Sequence, residues 1–272
     1  MRPYRANIKR RPAPRGDFSM TILKRYLPAA ALLALALVAW WWIASLEAVD
    51  DLLVASPGEV LGAFGDDHEL LLEQSWVTLQ EVLLGLAIAV VAGVGAAVAM
   101  HLVSPLRDAA YPLLVASQAI PIFVLAPLFV LAFGFGIGPK LAMVALICFF
   151  PVTVAMLSGL DSVDRELLRL TRSLGASRLR VLRLVELPAS LPQLFSGLRI
   201  AATVSVIGAV FGEVAGADAG LGRLIFLGNN QLQTPRVYAG VVILTVMAVG
   251  LFALVALLER LAVPWKRQGG TI

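Results

Sequence analysis

Residues 161–187 read DSVDRELLRLTRSLGASRLRVLRLVEL, a basic, amphipathic stretch set between two apolar runs at 139–159 and 189–213. The pattern predicts that Asp164 caps a helix whose leucines, Leu167, Leu168 and Leu174, recur at helical spacing. Arg165, Arg169 and Arg172 then occupy another face. Gly175 suits the C′ position after that helix, and Ser177 suits the cap of a second short helix running towards Pro188. The expected product is a helix–glycine–helix element lying against one side of a membrane.

Four more apolar runs, 26–46, 76–103, 109–134 and 238–262, flank this core. All six are long enough to cross a bilayer, which needs ~17–25 residues. The whole chain of 272 residues is 59% hydrophobic and only 15% charged, with mean hydropathy +0.86. Soluble domains carry about a quarter of charged residues, so the bilayer is the solvent this composition fits. The expected fold is all-α, a polytopic bundle of six transmembrane helices.

Charge placement orients the bundle. Of the 22 Lys and Arg, all but Lys140, Arg223 and Arg236 fall on the side that holds the two termini and residues 161–187. The loop from Glu47 to Glu73 on the other side holds eight acids and no Lys or Arg. By the positive-inside rule both termini are cytoplasmic. The organisation is then a basic cytoplasmic tail, 1–25, a first transmembrane helix, 26–46, and an acidic periplasmic loop, 47–75. A core at 76–262 with the inserted element 161–187 follows, and a cytoplasmic tail, 263–272, closes the chain. The pI near 9.6 is accounted for by topology, which removes the reason to infer nucleic-acid binding. Trp40 to Trp42 suit an interfacial anchor on an uncleaved first helix. Met20, just ahead of Lys24 and Arg25, offers an alternative start, with residues 1–19 as an extension. Ser56, Pro57 and Gly58 read as a turn opening a short helix towards Phe64.

Within the spans, Pro112, Pro121 and Pro127 mark the third, with Gln118 between them. Two readings stand: the wall of a pathway, or kinks that only pack the bundle. Gly85, Gly93 and Gly95 suggest close helix contact in the second span. Gln118, Pro121, Thr153, Ser205 and Glu213 are the candidates for a translocation path, since polar groups in spans face the bundle interior or a cavity. For Ser205 a bond to its own helix backbone is the commoner role, and for Glu213 a solvated interfacial carboxylate is.

No catalytic constellation or metal cluster is expected. Cys148 is the single cysteine, and His68 and His101 are far apart in sequence. The glycine-rich run Gly216–Gly222 lacks the lysine of a phosphate-binding loop, so ATP hydrolysis is not expected of this chain. The charged residues in or beside spans, Glu81, Arg199, Glu213 and Glu259, lie within about two turns of an end. That argues against the alternative of an ion-coupled secondary transporter.

Gly175, nine residues, and then Val185-Glu186-Leu187-Pro188 resemble the Gly-x9-Ile-x-Leu-Pro half of the cytoplasmic signature of binding-protein-dependent bacterial ABC importer permeases. The stretches PLFVLAFGFGIGPK (127–140), GASRLRVLRLVELPASLPQLFSGLRIA (175–201) and GEVAGADAGLGRLI (212–225) are similar to the nitrate, sulfonate and taurine branch of that family. HLVSPLRDAAYPLLVASQAIPI (101–122) and ALICFFPVTVAMLSGL (145–160) look closest to permeases for hydroxymethylpyrimidine-type thiamine precursors. The resemblance covers about 55–262. It implies a type I importer fold in the inner membrane, a cytoplasmic ABC ATPase that binds ATP and Mg, a periplasmic binding protein and a homodimer. It also implies that residues 161–187 form a coupling helix docked on the ATPase. Arg169, Leu170, Thr171, Gly175, Ala176, Ser177, Arg178, Val185, Leu187 and Pro188 would carry that contact. Arg169-Leu170-Thr171 stand where the family signature has Glu-Ala-Ala.

Overall fold

The computed structural model describes residues 18–46 and 54–267, all helix or connection with no strand among them. Residues 1–17 of the expected 1–25 tail, the acids Glu47, Asp50 and Asp51, and residues 268–272 lie outside the described residues, while 18–25 of that tail are already helical. The chain divides into two units at Pro57. In the first, α1 (Phe18–Ala44) contains the expected span and tolerates Pro28 within it. The Trp40 indole donates to the Ala55 carbonyl at 3.1 Å, tying the end of this helix to the strand of chain that follows.

The second unit holds α2 (Pro57–Asp66), α3 (His68–Leu102), α4 (Ser104–Ser117), α5 (Ile122–Phe133) and α6 (Ile137–Asp161). After α7 (Arg165–Ser173) and α8 (Arg178–Val181), the chain passes through a π turn, Leu182–Glu186, into α9 (Leu187–Gly216). Helices α10 (Leu221–Asn230) and α11 (Thr234–Ala262) complete it. Among the described residues, five helices are long and apolar enough to cross a membrane, and α4 with α5 would make a sixth.

The centre of the unit is α6, which packs along α9 on one side and α3 on the other. Small residues let the backbones approach. A Cβ at Gly85 would stand 2.5 Å from that of Val144, and one at Gly197 would stand 2.6 Å from the Pro151 carbonyl. Around these contacts Val82, Ala89, Val144, Cys148, Val152, Ala201, Ala202 and Ala209 form a continuous apolar core. Gly93 meets Val152 in the same way, whereas Gly95 faces open space and makes none of the contact expected of it.

The third apolar run is two helices, α4 and α5, meeting at 105°. Gln118, Ala119 and Ile120 donate to carbonyls only three residues back, which tightens the end of α4. Pro121 follows with an extended ψ of 113° and no N–H to continue the ladder. The second run also departs from expectation, since α3 begins at His68 rather than near 76. At ~1.5 Å per residue it is about 52 Å long, well beyond a ~30 Å hydrocarbon layer. Glu81 therefore sits about three and a half turns inside a helix. Helix α10, in the stretch after α9, was not anticipated as a helix.

Candidate functional site

Three features stand out, at the two ends of the bundle and between them. At one end α7 projects with none of its residues buried. It forms because Asp164 accepts a bond from the Glu166 N–H at 2.8 Å, as the capping pattern predicts. It stops in a Schellman arrangement: the Gly175 N–H donates to Arg172 O at 2.9 Å and the Ala176 N–H to Thr171 O at 3.3 Å. Gly175 takes φ +81°, a conformation in which a side chain is strained.

Ser177 occupies the cap position of α8, but its hydroxyl makes no capping bond, and only its carbonyl accepts, from the Val181 N–H. Nor does the second helix end at Pro188. The Leu187 N–H reaches back five residues to Leu182 O, and the π turn carries the chain straight into α9 with Pro188 in its first turn. Proline is tolerated there because first-turn N–H groups need no helical partner.

Of the residues expected to dock, Arg169, Leu170, Gly175, Ser177 and Arg178 are exposed, and Thr171, Ala176, Val185, Leu187 and Pro188 are half-buried. Leu170 and Leu174 are 59% and 80% exposed with no covering element. The Arg178 guanidinium donates to Leu102 O at 2.6 Å, securing α8 to the end of α3.

Between the ends lies a cavity of about 550 Å³ among α5, α6 and α9, with Gln118 at the α4–α5 break on its rim. Phe150, Val154, Ile200 and Phe211 line it, and Gln118 and Ser196 are its polar side chains. Pro121 is exposed at the same break. Thr153, Ser205 and Glu213 do not reach this cavity; all three are fully buried within the chain's own packing. The Thr153 and Ser205 hydroxyls bond to carbonyls of their own helices, Phe149 O at 2.7 Å and Ala202 O at 2.8 Å.

At the α10 end a polar knot is buried. Glu213 is not a solvated interfacial carboxylate: it accepts from the Thr78 hydroxyl at 2.6 Å and the Gly222 N–H at 2.5 Å. Thr78 accepts in turn from the Leu221 N–H at 2.9 Å, and Gln74 from the Gly220 N–H at 2.6 Å. Gly220 has φ +120°, and a Cβ there would stand 2.2 Å from the Glu213 carboxylate. Lys140, counted on the outer side at the start of the 139–159 run, is buried in the first turn of α6 and donates to Glu81 at 2.5 Å. Nearby, Arg236 grips Asp67 through two bonds of 2.7 Å. These partners lie far apart along the chain, so no local pattern marks them; only the run of glycines at 216–222 hints at a tight turn.

Residues 89–268 match the family described as the binding-protein-dependent transport system inner membrane component. Over 84% of its length the chain is 38% identical to a probable ABC transporter permease protein of Haemophilus influenzae, covering 93% of that protein. It is 36% identical over 87% of its length to the formylaminopyrimidine transport permease protein ThiX of Halalkalibacterium halodurans, covering 95% of it. To the taurine transport system permease protein TauC of Escherichia coli it is 32% identical, with 87% and 88% covered. Among solved structures, a chain of the MetNI methionine ABC transporter in an inward-facing conformation superposes with TM-score 0.65. That match covers 72% of this chain and 97% of the other at 18% identity, and so bears on the fold alone. The long apolar helices, the exposed element before α9 and the sequence relatives agree: this chain belongs to the family of inner-membrane permease components of binding-protein-dependent ABC importers, subunits that are not themselves enzymes.

Proposed function

We propose that two copies of this chain form the translocation path of an importer that carries a small pyrimidine of the thiamine-precursor type. The α7 end and both termini face the cytoplasm, and the α10 end meets a periplasmic binding protein. ATP and Mg are held by a partner ATPase, on which residues 161–187 dock. The observation that carries this reading is the exposed, capped α7–Gly175–α8 element rooted in α9. Closure of the ATPase on nucleotide moves that element as a lever and switches the paired bundles between inward- and outward-facing arrangements.

Two features favour a pyrimidine over a sulfonate, taurine or nitrate. One is the likeness to ThiX over most of both chains. The other is the cavity, whose described lining holds aromatic and aliphatic groups with Gln118 and Ser196 but no Lys or Arg. A flat heterocycle finds apolar walls and an amide partner there, whereas an anion would find no cation. A homodimer is favoured because six spans in one chain are few for enclosing a path.

The test is uptake of labelled hydroxymethylpyrimidine into liposomes holding the permease, its ATPase and its binding protein, with taurine as competitor. Vanadate-sensitive uptake unaffected by taurine is expected; displacement of the label by taurine would transfer the assignment to the sulfonate branch. Gly175→Val, forced into the left-handed region, should uncouple uptake from hydrolysis, and undiminished coupled uptake in that variant would sink the lever.

A further inference from the structure

At the α7 end, His101 in the last turn of α3 lies between two carboxylates from other elements. Its Nδ1 is 3.4 Å from Asp161 at the end of α6, and its Nε2 is 3.3 Å from Glu186 in the π turn. His101 is only 17% exposed at the side chain and Glu186 only 6%. Asp161 is also held by Arg107 in the first turn of α4, through two bonds of 3.1 and 2.7 Å. One imidazole thus joins α3, α6 and the root of α9, and Asp161 extends the connection to α4.

The need for such a joint follows from the local backbone. α7 has no buried residue, so a push on it reaches the bundle through its two roots, the short connection of residues 162–164 from α6 and, on the other side, α8 and the π turn. A π turn is a wider, weaker helical turn and the natural place for a lever to bend. What stiffens it is Leu182, packed with Met100, Met156 and Leu160, and Glu186 held by His101. From Arg107 the path continues along α4 to the break at Gln118, on the rim of the cavity.

We propose that His101 is a positioning residue for coupled transport: through Glu186 and Asp161 it clamps the π turn to α3 and α6, so that motion of the docking element reaches the cavity wall instead of being lost in bending. This rests on the transport reading above and adds to it the route by which force leaves the lever. Both contacts are attractive when the ring carries a proton on each nitrogen, whereas both donors of a glutamine amide sit on one nitrogen and cannot reproduce the bridge from Nδ1 and Nε2.

The experiment measures ATP hydrolysis by the liposome-reconstituted complex with and without its binding protein on the outer side. His101→Gln and Glu186→Gln should each cut stimulation by the binding protein about five- to tenfold, the low end of the usual span of a coupling energy, with the ATPase still co-purifying. The double variant should lose no more than either single one, because both break the same link. His101→Arg, which again presents donors to both carboxylates, should restore stimulation. Normal stimulation in either single variant, additive losses in the double, or failure of Arg to rescue would each overturn the clamp. Loss of assembly with the ATPase in both Gln variants would overturn it too, leaving a purely structural role. A wild-type complex that shows neither stimulation nor ATP-driven uptake would instead overturn the transport reading on which the clamp depends.

Discussion

Glu81 and Lys140 show how much depends on pairing once a charge leaves water. Both are nearly inaccessible, and their single bond of 2.5 Å links α3 to α6 next to Glu213. Removing one partner strands the other in a low-dielectric interior, at a cost of about 3–5 kcal/mol, while removing both together is far milder. Lys140→Met should therefore lower the unfolding midpoint of the purified permease steeply, and Glu81→Leu combined with Lys140→Met should recover most of the loss. Thr78 is a second case, since its hydroxyl gives a bond to Glu213 and takes one from Leu221. Thr78→Val keeps the shape and leaves both neighbours unsatisfied, so about 1–3 kcal/mol of stability should go, read as a shift in the same transition. None of this was legible in sequence: Glu81 and Lys140 lie 59 positions apart, and nothing near either points to the other. Asp164 and Gly175 were legible because their roles are local, a cap bond two residues ahead and a positive φ at the helix end.

At the scale of elements, legibility followed length and hydropathy. The long apolar helices α3, α6, α9 and α11 were visible because nearly every turn of each is apolar and only a span accommodates that. The first two turns of α3 were hidden because the polar residues of HELLLEQS interrupt the apolar run while the helix continues through them. Pro121 announced a disturbance, but its 105° angle depends on the short-range bonds of Gln118 to Ile120 and on packing against α6 and α9, which no window of sequence contains. The α7 helix yields the clearest element-level prediction. Because Leu170 and Leu174 touch no core, Leu170→Asp with Leu174→Asp should alter the permease's own stability by no more than about 0.5 kcal/mol per site, as surface changes usually do. If these leucines are the anchors on which the ATPase closes, the same variant should lose co-purification with it. A large fall in permease stability would mean instead that α7 packs on the bundle.

The whole molecule poses a choice of energy source, because buried carboxylates within spans are also what an ion-coupled carrier uses. Location separates the two cases. Glu81 is bonded to Lys140, and Glu213 to Thr78 and Gly222, all at the α10 end, and the cavity wall includes none of them. The knot thus ties α3, α6, α9 and the turn before α10 together, apart from the lining of the cavity between α5, α6 and α9. A carrier would place its titrating group where the cargo or the co-transported ion can reach it. Uptake by the reconstituted complex should accordingly be abolished by vanadate and indifferent to an uncoupler. The Glu81→Leu, Lys140→Met variant sharpens the test, since it deletes two of the three charged residues of the knot while sparing the fold. ATP-driven uptake should survive in it at a similar rate, still insensitive to the uncoupler. Loss of uptake from a stably folded variant would instead place the buried charges in the transport cycle itself.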